Sequence, residues 1–150
     1  MGAWNASING NDTAQDLKKE YQAAFFYNDV ETALAKIDDY IRRDGYDESD
    51  EEEWCDYYYS LADFMWKHGI LTDEVRERAV EMIDSGFGLE LWEEAGAKTL
   101  EKRKSVLVEF RKKLLSNICA LYIVVVYIKI CSRVFNAKTK EGVFIGSVVH

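Results

Sequence analysis

The chain has 150 residues, 48% hydrophobic and 31% charged, with a formal net charge of -8. That length suits one domain with a proper core, and the composition is globular rather than disordered. The acid excess argues against direct nucleic-acid binding, which needs clustered cations, and admits a basic protein partner.

The charge is unevenly placed. Residues 1–116 carry 15 Lys and Arg against 26 Asp and Glu, a net of -11. Residues 117–150 carry 4 against 1, a net of +3. An acidic helical domain over 1–116 and an apolar, mildly basic tail over 117–150 are expected.

The first helix starts at Asn11 or Asp12, with Gln15 placed for a capping box from Asp12, and runs through Phe26. Leu17, Tyr21, Ala24 and Phe25 give it an apolar face, and Phe25, Phe26 and Tyr27 offer large side chains to a core. Asn28 with Glu31 signals a second start, and Val30, Leu34, Ile37 and Ile41 form the face of that helix. Gly45 ends it by accepting a left-handed conformation.

Ser49 with Glu52 reads as another capping box. The helix it opens carries Trp54, Tyr58, Leu61 and Met65 and closes at His68-Gly69. Thr72 caps a fourth helix that buries Val75, Ala79, Met82 and Ile83. Ser85 to Gly88 is a break, and Leu89 to Ala95 is a short turn or helix stopped by Gly96. A basic helix follows from about Thr99 to Leu115, with Leu100, Val106, Leu107, Phe110 and Leu114 apolar.

Near Ser116-Asn117 the character changes. Ile118 to Cys131 is apolar and β-branched, and Gly142 to Val149 repeats that composition, so a C-terminal β-hairpin or strand element is expected. An isolated hairpin is marginal in water, and this one would pack on the helices or pair with another chain in a homo-oligomer. The apolar run is shorter than the roughly 20 residues of a membrane helix and is interrupted by Lys129, so no membrane association is expected. The fold class is mainly α: a bundle of five to six helices with a small C-terminal β element.

Met1-Gly2-Ala3-Trp4, followed by Asn11-Asp12-Thr13-Ala14 and Asp16, resembles the opening of a bacterial family of small proteins, the domain-of-unknown-function family 4259. Its members begin Met-Gly-Ala/Thr-Trp-Gly, then a short loop, then Asn-Asp and a helix. Asn5 stands where glycine is usual, and the tail from Asn117 departs from the family. The resemblance implies a bacterial or phage origin and a helical fold, and it implies no reaction. By itself, Trp4 reads as an apolar anchor holding the chain start against the first helices.

The densest chemical feature is Asp47-Glu48-Ser49-Asp50-Glu51-Glu52-Glu53. Carboxylates at a helix N-terminus favour the macrodipole, which is the plain reading. Interleaved with Trp54, Tyr57 and Tyr58, they also make a docking surface for a basic partner, and Asp47, Asp50, Glu51, Glu52, Glu53, Trp54, Tyr57 and Tyr58 are the candidate partner-binding residues. The basic residues from Lys98 to Lys113 read as internal counter-charge to the acidic helices.

No catalytic site, cofactor or metal is expected. An EF-hand is absent because Gly45 comes too early, and zinc lacks ligands at usable spacing. Gly86 and Gly88 lack the Lys-Ser/Thr of a phosphate loop. Cys55 sits among carboxylates that disfavour its thiolate, and His68 lies where a cation helps a helix C-terminus. Three unpaired cysteines and the absence of a leader pattern point to the cytoplasm. The function expected is binding: a non-catalytic module, of inhibitor or immunity type, that docks an acidic-aromatic face on a basic target. Nucleic-acid mimicry and an enzyme of unrecognised type are the alternatives.

Overall fold

The computed structural model describes residues 6–116. The expected β element and Trp4 lie outside them. Within them the chain is mainly helical, with no strand.

Helix α1, Asp12–Tyr27, starts at Asn11, whose side chain accepts from the Ala14 N–H at 2.8 Å. Asp12 does not form the expected box, because Gln15 Nε2 turns back to the Asn9 carbonyl at 2.7 Å. Helix α2, Val30–Asp44, is capped by Asp29 rather than Asn28. The Asn28 amide instead donates to the Ala24 carbonyl at the end of α1. Gly45 closes α2 with φ of 88°, in the left-handed region glycine adopts without strain.

Helix α3, Glu51–Lys67, is capped by Asp50, which accepts from the Glu53 N–H at 3.1 Å. Ser49 cannot cap, because its backbone N–H and its hydroxyl both donate to Asp47 Oδ1. Thr72 caps α4, Asp73–Ser85, and Gly86 ends it. A single 3-10 turn, Glu90–Trp92, leads to α5, described over 97–116.

Helix α3 is the hub. Ten of its 17 residues are buried. It packs against α1 and α4, and α1 packs against α2. Its contact with α5 runs through Tyr59, edge-on to Phe110 with ring centroids 6.1 Å apart. Leu17 and Tyr21 of α1, Ile37 and Ile41 of α2, and Leu107 and Leu114 of α5 complete one apolar core. Each such side chain withdrawn from water stabilises the fold by about 1.5–3 kcal/mol. Of the aromatic trio closing α1, only Phe25 joins the core, stacking on Phe64 at 5.6 Å. Phe26 and Tyr27 are 78% and 80% exposed.

A helix buried this deeply must satisfy its polar side chains internally. Asp56, Ser60 and Asp63 lie on one stripe of α3 and are all buried. Tyr21 Oη lies 3.1 Å from Ser60 Oγ and donates to the Tyr57 carbonyl at 3.1 Å. Asp63 accepts from Lys113 Nζ and Lys67 Nζ, each at 2.6 Å, and from Asn9 Nδ2 at 2.8 Å. Asp56 accepts from Asn11 Nδ2. Arg103 of α5, only 4% exposed, donates to the Ala6 and Ser7 carbonyls and lies over the Trp92 ring at 4.8 Å. Residues 6–11 thereby form a strap tied down by two carboxylates of α3 and one guanidinium of α5.

Burial pushes the Asp63 carboxyl up, but hydrogen bonds from Lys113, Lys67 and Asn9 outweigh it and hold the carboxyl below the ordinary range. Asp63→Ala removes a buried carboxylate that takes three donors, from Lys113, Lys67 and Asn9, so it is expected to cost about 3 kcal/mol. Urea unfolding at pH 7 measures this; a loss below about 1 kcal/mol would mean that solvent already screens the ties.

Candidate functional site

The acidic run splits into carboxylates that build the loop and carboxylates that face outward. Asp47 accepts from Ser49, Asp50 caps α3, and Glu48 pairs with Arg78 of α4. Glu51, although exposed, reaches across the loop so that Oε2 accepts from the Gly88 N–H at 3.1 Å. Gly88 is buried with φ of 72°, and a β-carbon there would stand 2.6 Å from Cys55 Sγ. Glycine at 88 therefore lets the α4–α5 connection lie flat on the first turn of α3. Glu52 is exposed and Glu53 half-buried, and neither forms an ion pair among the described residues. Both carboxyls are raised above the ordinary range, first by partial burial and then by Asp50 and other neighbouring acids.

Trp54, Tyr57 and Tyr58 form an aromatic cluster. Trp54 lies 5.6 Å from Tyr57 and 5.4 Å from Tyr58, and the two tyrosine rings are 4.5 Å apart. Tyr57 is buried, while Trp54 and Tyr58 are half-buried. The indole N–H of Trp54 is buried with no acceptor among the described residues, so Trp54 offers a partner only its ring.

Together with Leu61 the two tyrosines floor a groove of about 470 Å³ between α2 and α4. Leu34, Asp38 and Arg42 wall it on the α2 side, and Glu74, Val75 and Arg78 on the α4 side. Burial raises the Tyr58 phenol; Arg78 lowers it, and Asp38, Glu74 and Glu48 raise it further. Asp38 and Glu74 thus flank one aromatic floor. The candidate partner-binding residues thus occupy the acidic loop, the first turn of α3 and the groove floor. Sequence reasoning did not reach the walls, because they come from two other helices. The one local signal was the pair of four-residue spacings Asp38–Arg42 and Glu74–Arg78.

The other reactive groups among the described residues, Cys55 and His68, are engaged within the fold. Burial, more than the adjacent acids, pushes the Cys55 thiol up to about 12, and Sγ contacts the Phe87 carbonyl at 3.6 Å. His68 Nδ1 bonds the Phe64 carbonyl at 2.8 Å at the end of α3. Much of the basic face of α5 is spent on the protein's own acids, including a two-pronged Arg111–Asp84 pair at 2.6 and 3.0 Å. Among the described residues no group of three His, Cys, Asp or Glu could hold a metal ion, and no helix is long and apolar enough to cross a membrane.

Asp56 sits one turn beyond the acidic residues and has the opposite fate to Asp63. Burial pushes its carboxyl up to about 6, against the pull of Asn11 and Arg103. An unfolded aspartate ionises at about 3.9. Between those values the folded chain binds the extra proton, so stability falls as pH rises through the window. The full difference is about 3 kcal/mol. Asp56→Asn keeps an acceptor for Asn11 and removes the ionisation. Thermal melts from pH 4 to 7 should slope downward in wild type and flatten in the variant, with the variant at least as stable at pH 7. An unchanged slope would assign the effect to another group.

No family model, curated protein or solved structure matches this chain.

Proposed function

We propose that this protein is a non-catalytic binding module, of inhibitor or immunity type, that docks its acidic-aromatic face on a basic protein target. The observation that carries this reading is the Trp54, Tyr57 and Tyr58 cluster at the groove between α2 and α4, whose walls carry Asp38 and Glu74, with Glu52 and Glu53 in the first turn of the same helix. Aromatic rings contribute most of the affinity at such interfaces, and charges set the speed and selectivity of encounter. A protein target suits the face better than nucleic-acid mimicry does. Mimicry needs carboxylates at phosphate-like spacing over a long surface, and here Asp47, Asp50 and Glu51 are engaged in loop and cap bonds. The N-terminal resemblance to family 4259 belongs to the same proposal and suggests a bacterial or phage setting.

Charge reversal at Glu52 and Glu53 tests the face without touching those bonds. Affinity capture from the native host is expected to retain one stoichiometric basic protein with wild type and to lose it with Glu52→Lys/Glu53→Lys. For the purified pair, the variant's association rate should fall about tenfold at low salt, and its salt dependence should weaken. Equal capture by both forms, or an unchanged association rate, would remove this face as the interface.

A further inference from the structure

The groove between α2 and α4 already contains guanidinium groups of the protein's own. Arg78 leans from α4 with its Cζ 5.9 Å from the centre of the Tyr58 ring. Its Nη2 donates to Glu48 in the loop before α3, and its Nη1 donates to Glu81 at 3.0 Å. On the opposite wall Arg42 is paired with Asp38 of its own helix. An aromatic face and flanking carboxylates are the set that a planar, forked cation uses best.

Building on the docking reading above, we propose that this groove is an arginine-reading site in a self-occupied state. Arg78 stands where an arginine from a segment of the protein partner seats, and docking exchanges one guanidinium for the other.

The exchange is within reach of weak forces. The Arg78 side chain is 32% exposed, and those of Glu48 and Glu81 are 60% and 68% exposed. Pairs that open to solvent are individually weak and are given up without unfolding a helix. Glu81 lies one turn along α4 and stays available to a displaced Arg78. Once Arg78 has moved, the site presents Glu48 with Asp38 and Glu74 from the walls. Glu74 has no ion pair among the described residues, so the vacated groove is net acidic. Leu34, half-buried beside the tyrosines, suits the aliphatic stem of an arginine. Lysine fits less well, because a compact, strongly hydrated ammonium neither stacks on the ring nor forks between two carboxylates.

The test uses the full chain and two labelled peptides, a nonamer of arginine and a nonamer of lysine, followed by fluorescence anisotropy at physiological salt. Arg78→Gln removes the internal guanidinium and keeps a polar side chain. It is expected to bind the arginine peptide about tenfold tighter than wild type does, while the gain for the lysine peptide stays under about threefold. Adding Tyr58→Leu should abolish the arginine-specific gain. Arg78→Lys keeps the charge and loses the fork; it should also gain on the arginine peptide, and it serves if the glutamine variant fails to fold. Equal gains for the two peptides, no gain, or no binding by any variant would each overturn the arginine site. The Glu52→Lys/Glu53→Lys variant separates this from the parent reading. If it weakens both peptides equally while Arg78→Gln changes nothing, the acidic face stands and the arginine site falls.

Discussion

Polar ties from the buried stripe of α3 hold the strap, α1 and α5 to the central helix. A helix packed on most of its circumference cannot send Asp56 and Asp63 to water. Each therefore takes a partner from a distant part of the chain: Asn11 for Asp56, and Asn9 with Lys113 for Asp63. These bonds are directional where apolar packing is not, and they fix the register of α5 and of the strap over 6–11. The two carboxylates reach opposite outcomes for a simple reason. Asp63 receives two ammonium groups directly, and they outweigh its burial. Asp56 receives one neutral amide, and Arg103 helps it only from a distance, because that guanidinium is committed to the Ala6 and Ser7 carbonyls.

That stripe also decides what the remainder of α3 can do. With Asp56, Ser60 and Asp63 tied to the strap, α1 and α5, the stripe of Tyr57, Tyr58 and Leu61 is turned toward α2 and α4. Those two helices border α3 without covering Tyr58 fully, and a groove results. The acidic loop is held beside it by Glu48 on Arg78 and Glu51 on the Gly88 amide. Binding surface and core are therefore two sides of one helix, and the polar ties on the core side set the aim of the other.

Much of this was legible in the sequence where the controlling physics is local. Five helices, the left-handed Gly45, the Thr72 cap and the closure at His68 follow from periodicity and cap chemistry within a few residues. Misreadings of one residue arose where two polar side chains competed for one role. Ser49 had the right type and spacing to cap α3, but its hydroxyl was already taken by Asp47. Asn28 lost α2 to Asp29 because its amide closes α1. Phe26 and Tyr27 read as core residues by composition and lie in solvent, because the core side of α1 runs through Ala14, Leu17 and Tyr21. What was illegible is long-range. Asn11 meets Asp56 across 45 positions and Arg103 meets Ser7 across 96, and no window of sequence contains both partners.

Net charge illustrates the same separation between local and tertiary information. A value of -8 suggests a uniformly acidic body, yet the carboxylates here have four distinct uses, one of them the exposed ion pairs such as Asp38–Arg42 and Asp84–Arg111. Some are buried ties, as at Asp56 and Asp63. Some are caps and braces, as at Asp29, Asp47, Asp50 and Glu51. Others remain without a cationic partner among the described residues, as at Glu52, Glu53 and Glu74. Only the last kind can give its full field to a partner, because a carboxylate already holding an N–H or an ammonium has much of its field compensated. The docking potential of the protein is therefore set by a few residues on the first turn of α3 and on the groove wall rather than by the length of the acidic run. Where an arginine of the protein's own already stands among them, the field that remains is the one a partner's arginine must compete for.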